Sequence, residues 1–578
     1  MKEKWMVKNK SADFEAICDR FQVSGAVARI MVNRGLTDFK EMEAYLHPSI
    51  SQLHSARLLK DAEKAAKILA GKVEEGAKIR IIGDYDVDGV VSTYLFMTAL
   101  TECGANVDYA IPDRIRDGYG INDRLVEEAI ADGVDTILTC DNGIAAPLQV
   151  ELAKAHGLTV IITDHHELQE VLPAADAVVN PKQPDCPYPY KKLCGAAVAG
   201  KVAEIVLKEI TKEDGKIHTM LPFIAVATVC DVMDLTGENR TIVSLGLTML
   251  RQTDNAGLRA LMEVNRIDPK DLGAYHLGFI LGPCLNATGR LKSAVRGVEL
   301  LLERDLDLAK SLAQELKELN DLRKTMTVQG TEEAVCQVEK ELSEDKVLVV
   351  FLPECHESLA GIIAGRLREK YNKPSIVMTR AEDGIKGSGR SIEGYSMFEK
   401  LTELKDLLTR YGGHPMAAGM SLFEENLALL REQLNKRCGL TEDDLTLKIS
   451  IDAVLALSGL TEEMVEELSV LEPFGKANEK PVFAERNLLI RRMTPMGKQR
   501  KMFRFLVEDA YGTQMEAVYF GDGEEMEAAF VKKFGEQGLR RLYQGKGREE
   551  RMSVVYYPSI HEFLGKRNIE IVIQRYQF

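Results

Sequence analysis

Short apolar runs alternate with helix-length stretches between residues 79 and 163, and this alternation constrains the fold more than any other feature of the chain. The runs are IRII at 79, VDYAIP at 107, VDTILTC at 134 and LTVIIT at 158. The stretches between them, at 90–102, 122–131 and 145–156, predict helices. Strands joined by crossover helices pair in parallel and are covered on both faces. The pattern therefore predicts an α/β domain built on a parallel sheet.

The chain of 578 residues is too long for one hydrophobic core, because cores stop growing at roughly 250–300 residues. The proline-free stretch 299–343 predicts a long helix or helix pair, and the runs VLVVFL and PSIVMT predict a second α/β region. Short β-like runs from LKISID onward predict a small barrel. We predict four regions: 1–298, an N-terminal region with the parallel-sheet domain; 299–345, a helical connector; 346–440, a second α/β domain; and 446–578, an OB-fold-like nucleic-acid-binding domain.

Composition limits the classes of function that fit this chain. Its net charge of −15 argues against coating nucleic acid through overall charge, although a local basic groove is compatible with it. No apolar run approaches the roughly 20 residues that a bilayer needs. The charged start, MKEKWMVKNKSADFE, lacks the apolar centre of a secretory signal, and the ten cysteines include no pair at zinc-ligand spacing. We expect a cytoplasmic protein without membrane contact.

Alternating acids follow the first predicted strand of the sheet. Asp84, Asp86 and Asp88 stand in GDYDVDG, directly after IRII. Acids at this position leave the sheet at its carboxyl edge, where open α/β proteins build their sites. A polar turn is the alternative interpretation, and an EF-hand would need a later Glu that the sequence lacks.

Two later strands also end in potential metal ligands. Asp141 follows VDTILTC, and Asp164, His165 and His166 follow LTVIIT, while Asp231 follows another apolar stretch. Each acid taken alone is compatible with a helix N-cap, and the histidines with a surface position. As a set, they offer oxygen and imidazole ligands without a thiolate, which suits Mn²⁺ or Mg²⁺ better than zinc.

These motifs resemble a known family. DYDVDG, CDNG, DHH and VCDVM are similar to the four successive motifs of the DHH phosphoesterase superfamily, and GGHPMAAG (412–419) is similar to the GGH signature of its DHHA1 partner domain. Within the superfamily, the chain resembles the RecJ family over essentially its whole length. The segments that carry this closer resemblance are RGLTDFKEMEAYLHPS, IPDRIRDGYGIN, LNATGRL, GSGRS and LEPFGKANEKPVF.

The resemblance implies a single-stranded-DNA-specific 5′→3′ exonuclease that releases mononucleotides with two Mn²⁺ or Mg²⁺ ions, in DNA repair and recombination. It implies that Asp84 and Asp141 hold one ion, and that Asp86, Asp141, His165 and Asp231 hold the other. His166 would contact the scissile phosphate, with Asp88 and Asp164 orienting ligands around it. Single-stranded DNA with a 5′ end, a helicase and a single-strand-binding protein are the implied partners of a monomer.

A second set of residues offers amides, a hydroxyl and guanidinium groups that suit a terminal 5′-phosphate. The set comprises Arg114, Arg290, Ser388, Arg390, Gly412, Gly413 and His414. Taken alone, the GGH segment is also compatible with a glycine turn and a structural histidine. We predict that the set binds the 5′ end of the substrate.

The stretch RRMTPMGKQRKMFRF combines basic residues with Phe503 and Phe505, and no acid interrupts it. Such a face suits contact with single-stranded DNA through Lys498, Arg500 and Lys501, with the aromatic rings stacking on bases. The alternative is a solvated charged face whose phenylalanines point into the core.

Two departures from the superfamily pattern stand out. Arg80 and Ile82 occupy the region where pyrophosphatase and nano-RNase members place a histidine, and Cys355 and Ser358 replace the tryptophan and glycine usual around His356. Two other functions stay open: a phosphodiesterase for oligonucleotides or cyclic dinucleotides, and an inactive replication scaffold.

Overall fold

The computed structural model describes residues 2–213, 215–381, 384–497, 502–563 and 565–578. It forms two compact units, one containing Ile50–Leu447 and the other combining Lys4–Ser49 with Lys448–Phe578. Within the described residues, no helix combines the length and the apolar character needed to cross a membrane.

The chain begins with one strand and three helices that belong to the second unit. They are β1 (Glu3–Val7), α1 (Phe14–Phe21), α2 (Gly25–Asn33) and α3 (Phe39–Leu46). The prediction grouped this segment with the parallel-sheet domain, whereas in the structure Lys4–Ser49 packs with the C-terminal residues.

The first unit contains the predicted parallel sheet, with strand order β3-β2-β4-β5-β6. Its strands are β2 (Lys78–Ile82), β3 (Asn106–Ala110), β4 (Thr136–Cys140), β5 (Thr159–Thr163) and β6 (Ala177–Val179). Its helices are α4 (Ala62–Glu74), α5 (Val87–Glu102), α6 (Asp123–Ala131), α7 (Pro147–Ala155), α8 (Gly195–Thr211), α9 (Ile217–Cys230), α10 (Gly237–Leu250), α11 (Ala256–Val264), α12 (Ala274–His276), α13 (Gly282–Leu291) and α14 (Val295–Leu302).

Both faces of this sheet are buried, as the apolar runs predicted. Ile137 of β4 packs into a core with α6 and α7, while its neighbour Leu138 packs into the opposite core with α5 and α8. Because successive strand residues point to opposite faces, a strand covered on both sides must be apolar throughout.

A 36-residue helix, α15 (Leu306–Glu341), connects the sheet domain to a second α/β domain. That domain has the strand order β10-β11-β9-β8-β7, in which only β7 and β8 are parallel neighbours. Its strands are β7 (Leu348–Phe351), β8 (Ser375–Ala381), β9 (Gly384–Arg390), β10 (Arg410–His414) and β11 (Ala417–Leu422). Its helices are α16 (Ala360–Tyr371), α17 (Met397–Thr402) and α18 (Leu427–Lys436).

The second unit is built around a closed barrel of five strands, β14-β15-β16-β18-β17, in which β17 pairs back onto β14. Its strands are β12 (Leu447–Ile451), β13 (Ala453–Val454), β14 (Phe483–Met496), β15 (Met502–Glu508), β16 (Gln514–Tyr519), β17 (Arg551–Phe563) and β18 (Lys566–Gln577), and its helices are α19 (Glu462–Glu467) and α20 (Gly523–Tyr543). The predicted C-terminal barrel is thereby confirmed.

Asn478, in the segment LEPFGKANEKPVF, joins the N-terminal helices to the barrel unit. Its side-chain oxygen accepts from Arg34 at 2.6 Å and from the Tyr45 hydroxyl at 2.8 Å. Its amide nitrogen donates to the carbonyls of Leu471 at 3.0 Å and Pro473 at 2.8 Å. One buried side chain thus satisfies polar groups from two distant parts of the sequence, which explains why Lys4–Ser49 packs in this unit.

We expect Asn478→Ala to lower the free energy of unfolding of the second unit by about 2–4 kcal/mol, because it leaves several buried polar groups unpaired. Urea unfolding followed by the fluorescence of Trp5, the only tryptophan and a residue of this unit, measures the change. Asn568→Ala, at an exposed position of β18, serves as the control. A loss no larger than that of the control would contradict the assigned role of Asn478.

Candidate metal centre and arginine-lined cavity

The carboxyl ends of three neighbouring strands bring the predicted ligands together. Asp84 follows β2, Asp141 follows β4 and His165 follows β5, and these strands are adjacent and parallel. Parallel strands end at the same edge of the sheet, so side chains that are far apart in sequence meet there. Asp231 joins them from the end of α9.

Asp84, Asp86 and Asp141 form one set of potential ligands, with carboxylate oxygens within 4.8 Å of one another. Asp86 caps α5 by accepting from the amides of Asp88 at 2.9 Å and Gly89 at 3.1 Å. A Cβ atom at Gly89 would lie 2.4 Å from the carbonyl oxygen of Asp84. The glycine therefore lets the helix start directly against the first ligand.

His165 is the centre of a second set. Its Nε2 atom lies 3.1 Å from Oδ1 of Asp141 and 3.7 Å from Oδ2 of Asp231. Oδ2 of Asp88 lies 3.6 Å from the same nitrogen. Asp141 is thus close to both sets, and Asp86 lies in the first set with Asp84 and Asp141.

Unpaired polar atoms test whether these residues fit a metal. Within the described part of the chain, Oδ2 of Asp84, Oδ1 of Asp141 and Nε2 of His165 are buried and make no hydrogen bond. Burying such groups costs several kcal/mol unless a cation or donor compensates. Carboxylate oxygens with one imidazole and no thiolate suit Mn²⁺ or Mg²⁺, so the residues fit the expected ions.

The pKa shifts in the cluster indicate crowded negative charge that a bound cation would offset. Burial raises the pKa of Asp84 and Asp141 well above the ordinary value, and neighbouring carboxylates raise it further. Burial, reinforced by the charge of His166, lowers the pKa of His165 to about 3. His165 is therefore a neutral imidazole with a lone pair available to a metal.

Asp88 holds a helix beside the cluster. Its two oxygens accept from the amides of Gly195 at 2.6 Å and Ala196 at 2.7 Å, which are the first residues of α8. A carboxylate is favoured at a helix N-terminus by the free amides and the helix dipole. A Cβ atom at Gly195 would lie 2.6 Å from Oδ1 of Asp141, so α8 starts in direct contact with a ligand. Gly195 was not singled out from the sequence.

Asp164 orients His166 rather than His165. Its Oδ1 lies 2.7 Å from Nδ1 of His166, and its Oδ2 accepts from the amide of Ile144 at 2.9 Å. Burial disfavours a charged His166, but the hydrogen bond to Asp164 and the negative charges of Asp164, Asp231 and Asp88 together outweigh burial and raise the pKa of His166 to about 9. These carboxylates favour the protonated form of His166, which is suited to contact with a phosphate group.

Tyr119 is a site residue that sequence reasoning missed. Its hydroxyl donates to the main-chain carbonyl of Asp141 and lies 3.1 Å from Nδ1 of His166. Gly118 and Gly120 on either side have positive φ angles of 79° and 69°. Both glycines lie in IPDRIRDGYGIN, one of the segments that carry the family resemblance. They were the signal in the sequence from which Tyr119 could have been identified.

Arg80 and Ile82 have structural roles. The guanidinium of Arg80 donates to both oxygens of Asp108, at 2.8 and 2.7 Å, and to Asp132 at 2.8 Å. Ile82 is part of the hydrophobic core beneath the sheet. Neither side chain is among the potential metal ligands of the described residues.

Four of the predicted phosphate-binding residues line one cavity of about 200 Å³. They are Arg114, Arg290, Ser388 and Arg390. Arg390 donates to the Ser388 hydroxyl at 3.0 Å, and a Cβ atom at Gly361 would lie 2.8 Å from the Arg390 guanidinium. The structure thus brings together residues that are up to 276 positions apart (Arg114 to Arg390).

The arginines of this cavity repel one another, and the carboxylate in its lining, Glu357, is paired with Lys386 at 3.1 Å. Burial, followed by repulsion from Arg114 and Arg323, lowers the pKa of Arg290 to about 9. Burial and the charge of Arg114 also lower the pKa of Arg390. Mutual repulsion between buried cations favours the binding of an anion, and guanidinium groups match the geometry of phosphate.

Ser358 and His356 are explained by the same cavity. Ser358 lines it, and the Ser358 carbonyl accepts from Arg290 at 2.7 Å. Nδ1 of His356 lies 2.8 Å from the Ser358 hydroxyl, so His356 positions this short turn and is not among the lining residues. Ser358, one of the two unusual residues near His356, therefore forms part of the cavity wall.

Gly412, Gly413 and His414 lie elsewhere, on the exposed strand β10, and are not among the residues lining the cavity. Gly413 has φ of 140°, and a Cβ atom there would lie 2.4 Å from the carbonyl of Ala417. The hydrogen bond from Lys182 lowers the pKa of Glu167, the residue after His166, and burial opposes this shift. The charge of His414 also lowers the pKa of Glu167.

The predicted basic face of the barrel is only partly described. Lys498, Arg500 and Lys501 lie outside the described residues. Phe503 and Phe505 are buried in the barrel core, so the interpretation that they stack on bases is wrong. They alternate with Arg504 along β15, and strand alternation turns the rings inward.

Three known domain families match successive parts of the chain. The DHH family N-terminal domain matches residues 78–228, the DHHA1 domain matches 344–439, and the RecJ OB domain matches 451–575. The first two families and the carboxylate–histidine cluster define a metal-dependent phosphoesterase of the DHH superfamily.

Similar sequences and a similar solved structure identify the family within this superfamily. The chain is 34% identical to the single-stranded-DNA-specific exonuclease RecJ of Bacillus subtilis strain 168, over 99% of this chain and 70% of that protein. It is 33% identical to the Escherichia coli K12 protein of the same name, over 94% of each. The crystal structure of RecJ in complex with Mn²⁺ from Thermus thermophilus matches with a TM-score of 0.84 and 25% identity, over 100% of this chain and 80% of that chain. The chain belongs to the RecJ family.

Proposed function

We propose that this protein is a single-stranded-DNA-specific exonuclease that removes mononucleotides from the 5′ end, in DNA repair and recombination. The observation that carries the proposal is the position of Tyr85, between the ligands Asp84 and Asp86. The guanidinium of Arg114 lies 4.6 Å above the Tyr85 ring, and a Cβ atom at Gly289, next to Arg290, would lie 2.3 Å from the Tyr85 carbonyl. The arginine-lined cavity therefore adjoins the ligand cluster.

This arrangement offers a physical reason for cleavage from the 5′ end of the strand. A terminal 5′-phosphate held by Arg114, Arg290 and Arg390 would place the next phosphodiester beside the ligand cluster. A 3′ end carries no terminal phosphate, so it gains none of these charge-assisted contacts. Binding energy at the cavity would thereby select the 5′ end and position the bond that is cleaved.

The residues of the chain divide the remaining tasks. Asp84, Asp86, Asp141, His165 and Asp231 would hold two Mn²⁺ or Mg²⁺ ions, which supply an activated water and charge stabilisation at phosphorus when bound. His166, oriented by its contact with Asp164, would contact the phosphate that is attacked. Asp88 holds α8 against Asp141 and so maintains the spacing of the ligands.

The alternatives are less well supported. An inactive scaffold has no need for the buried, unpaired ligand atoms of Asp84, Asp141 and His165. A phosphodiesterase for short oligonucleotides or cyclic dinucleotides has no need for the additional barrel unit. Cytoplasmic location, a monomeric state, and helicase or single-strand-binding-protein partners stay predictions from the sequence.

A polarity assay tests the proposal. The substrate is a single-stranded oligodeoxynucleotide with a 5′-phosphate and a 3′ label, incubated with Mn²⁺ and compared with the blunt duplex. We expect labelled products that shorten one nucleotide at a time on the single strand, and little cleavage of the duplex. Shortening that removes the label first, or equal cleavage of the duplex, would overturn the proposal.

A further inference from the structure

The arginine-lined cavity is larger and more positively charged than one terminal phosphate requires. Its volume of about 200 Å³ corresponds to about seven water molecules at about 30 Å³ each, whereas a terminal phosphate brings three unshared oxygens. Three arginines line the cavity, and a terminal phosphate carries a charge of about −2. Among the described residues, none that line the cavity is aromatic, so its wall offers no stacking surface for a base. The remaining space and charge therefore suit further phosphates.

One outer face of α16 continues the wall of the cavity. Gly361 and Ile362 line the cavity, and Gly365 and Arg366 follow one helical turn later on the same face. Ile363, between the two pairs, is buried on the opposite side of the helix. A Cβ atom at Gly365 would have no other heavy atom within 4 Å, so the surface beside this glycine is open. The cavity therefore continues along α16 as an open groove towards Arg366.

Arg323 lies on α15, which packs on α16. Its Nε and Nη2 atoms donate to Oδ1 of the buried Asn320 at 3.1 and 2.9 Å, which fixes the position of the guanidinium. Burial lowers the pKa of Arg323, the Cys284 thiol opposes this shift, and the charge of Arg366 adds to it. Burial, together with charges that include that of Arg323, lowers the pKa of Arg290. Arg290, Arg323 and Arg366 therefore follow one another as neighbouring cations from the cavity into the groove.

No carboxylate neutralises the two arginines of the groove. Within the described part of the chain, neither Arg323 nor Arg366 forms an ion pair with an Asp or Glu side chain. In contrast, Lys324 and Lys370 on the same two helices are each paired with a carboxylate, at 3.7 and 3.4 Å. The charges of Arg323 and Arg366 are therefore available to an anionic ligand.

We propose that Arg323, Gly365 and Arg366 extend the cavity and bind the outer phosphates of a strand that starts with a 5′-triphosphate, an inference that rests on the proposed function. The phosphate attached to the sugar would lie in the cavity, and the second and third phosphates would lie in the groove. Guanidinium groups match phosphate oxygens with charge-assisted hydrogen bonds. Each added phosphate brings about one more negative charge, so a triphosphate gains contacts that a monophosphate cannot make.

Cleavage of such a strand would follow the same course as cleavage of a monophosphorylated one. Water adds across the first phosphodiester: its hydroxyl bonds to phosphorus, the P–O3′ bond breaks, and the 3′ oxygen takes the proton. The first product is then a nucleoside 5′-triphosphate, and the shortened strand starts with a 5′-monophosphate. Only the first cycle of degradation would therefore use the groove.

The test compares three 20-nucleotide strands of one sequence that start with a 5′-hydroxyl, a 5′-monophosphate or a 5′-triphosphate. Binding is measured by fluorescence anisotropy without divalent metal, and the first product is identified by mass spectrometry after Mn²⁺ is added. We expect the wild type to bind the triphosphate strand about 10- to 150-fold more tightly than the monophosphate strand, the factor for one charge-assisted hydrogen bond. It should release a nucleoside triphosphate from that strand. R323Q/R366Q should lose this gain in binding and leave the binding of the other two strands unchanged.

K324Q/K370Q is the matched control, because it removes two charges from the same helices at positions that are already paired with carboxylates. It should bind all three strands as the wild type does. Wild-type binding of the triphosphate strand no tighter than that of the monophosphate strand would overturn the proposed groove. An equal loss on all three strands in R323Q/R366Q would also overturn it, as would a dinucleotide as the first product of the hydroxyl strand.

The same experiment keeps the two proposals apart. Failure of the intact protein to shorten the monophosphate strand from its 5′ end would overturn the proposed function. The binding comparison needs no cleavage, so it decides separately whether Arg323 and Arg366 bind the outer phosphates.

Discussion

Replacement of Asp141 by Asn is expected to reduce exonuclease activity by about 1,000-fold or more while leaving the protein folded. Asp141 is the carboxylate nearest to both sets of ligands, and charge stabilisation by bound metal contributes several kcal/mol to such reactions. Asn is preferred to Ala here because Asp141 has a positive φ of 63°, a conformation that Asn tolerates well. Initial rates on a 5′-phosphorylated single strand with Mn²⁺ measure the effect.

We expect Asp141→Asn to lose activity without losing thermal stability. In the metal-free protein, loss of a buried carboxylate whose ionisation is unfavourable should keep or raise the melting temperature. Added Mn²⁺ should stabilise the wild type, because a ligand that binds only the folded state raises its stability, and should stabilise the variant less. Asp254→Asn, at an exposed position, is the control. Activity above a tenth of wild type in Asp141→Asn would contradict the role assigned to this residue.

Replacement of Arg390 by Gln is expected to abolish most of the preference for a 5′-phosphate. A charge-assisted hydrogen bond contributes about 1.5–3 kcal/mol, so kcat/KM on 5′-phosphorylated strands should fall roughly 10- to 150-fold. The value on 5′-hydroxyl strands should change little, because those strands make no such contact. The ratio of the two values, measured in one set of initial-rate experiments, is the relevant quantity.

Arg380→Gln provides the matched control for this experiment. Arg380 lies in the same α/β domain, but it is exposed and paired with Glu354. Its replacement should leave the ratio unchanged. An equal fall of kcat/KM on both kinds of strand in Arg390→Gln would show that Arg390 supports the domain rather than the terminal phosphate.

The sequence alone was sufficient for the architecture of the metal centre. Runs such as VDTILTC predict buried parallel strands because both faces of each strand must be apolar, and the residue after each run must lie at the carboxyl edge. Asp84, Asp141 and His165 were therefore predictable as neighbours. The fold class and the closed C-terminal barrel were predictable for the same reason, since periodicity is a local property.

Contacts between distant segments could not be predicted in this way. Tyr119 reaches Asp141 and His166 only because a loop returns over the sheet edge, and Gly195 meets Asp141 only because α8 starts there. The inward direction of Phe503 depends on the register of β15 within the barrel. The packing of Lys4–Ser49 depends on Asn478, more than 400 residues further along the chain.

The residue types and the strand ends that carry chemistry were thus determined by the sequence itself, because hydrophobic periodicity acts over a few residues. The tertiary structure decided which charges share a cavity and which terminal segment packs on the barrel. These outcomes depend on side-chain contacts between elements far apart in the chain, and no local pattern encodes the distance between them.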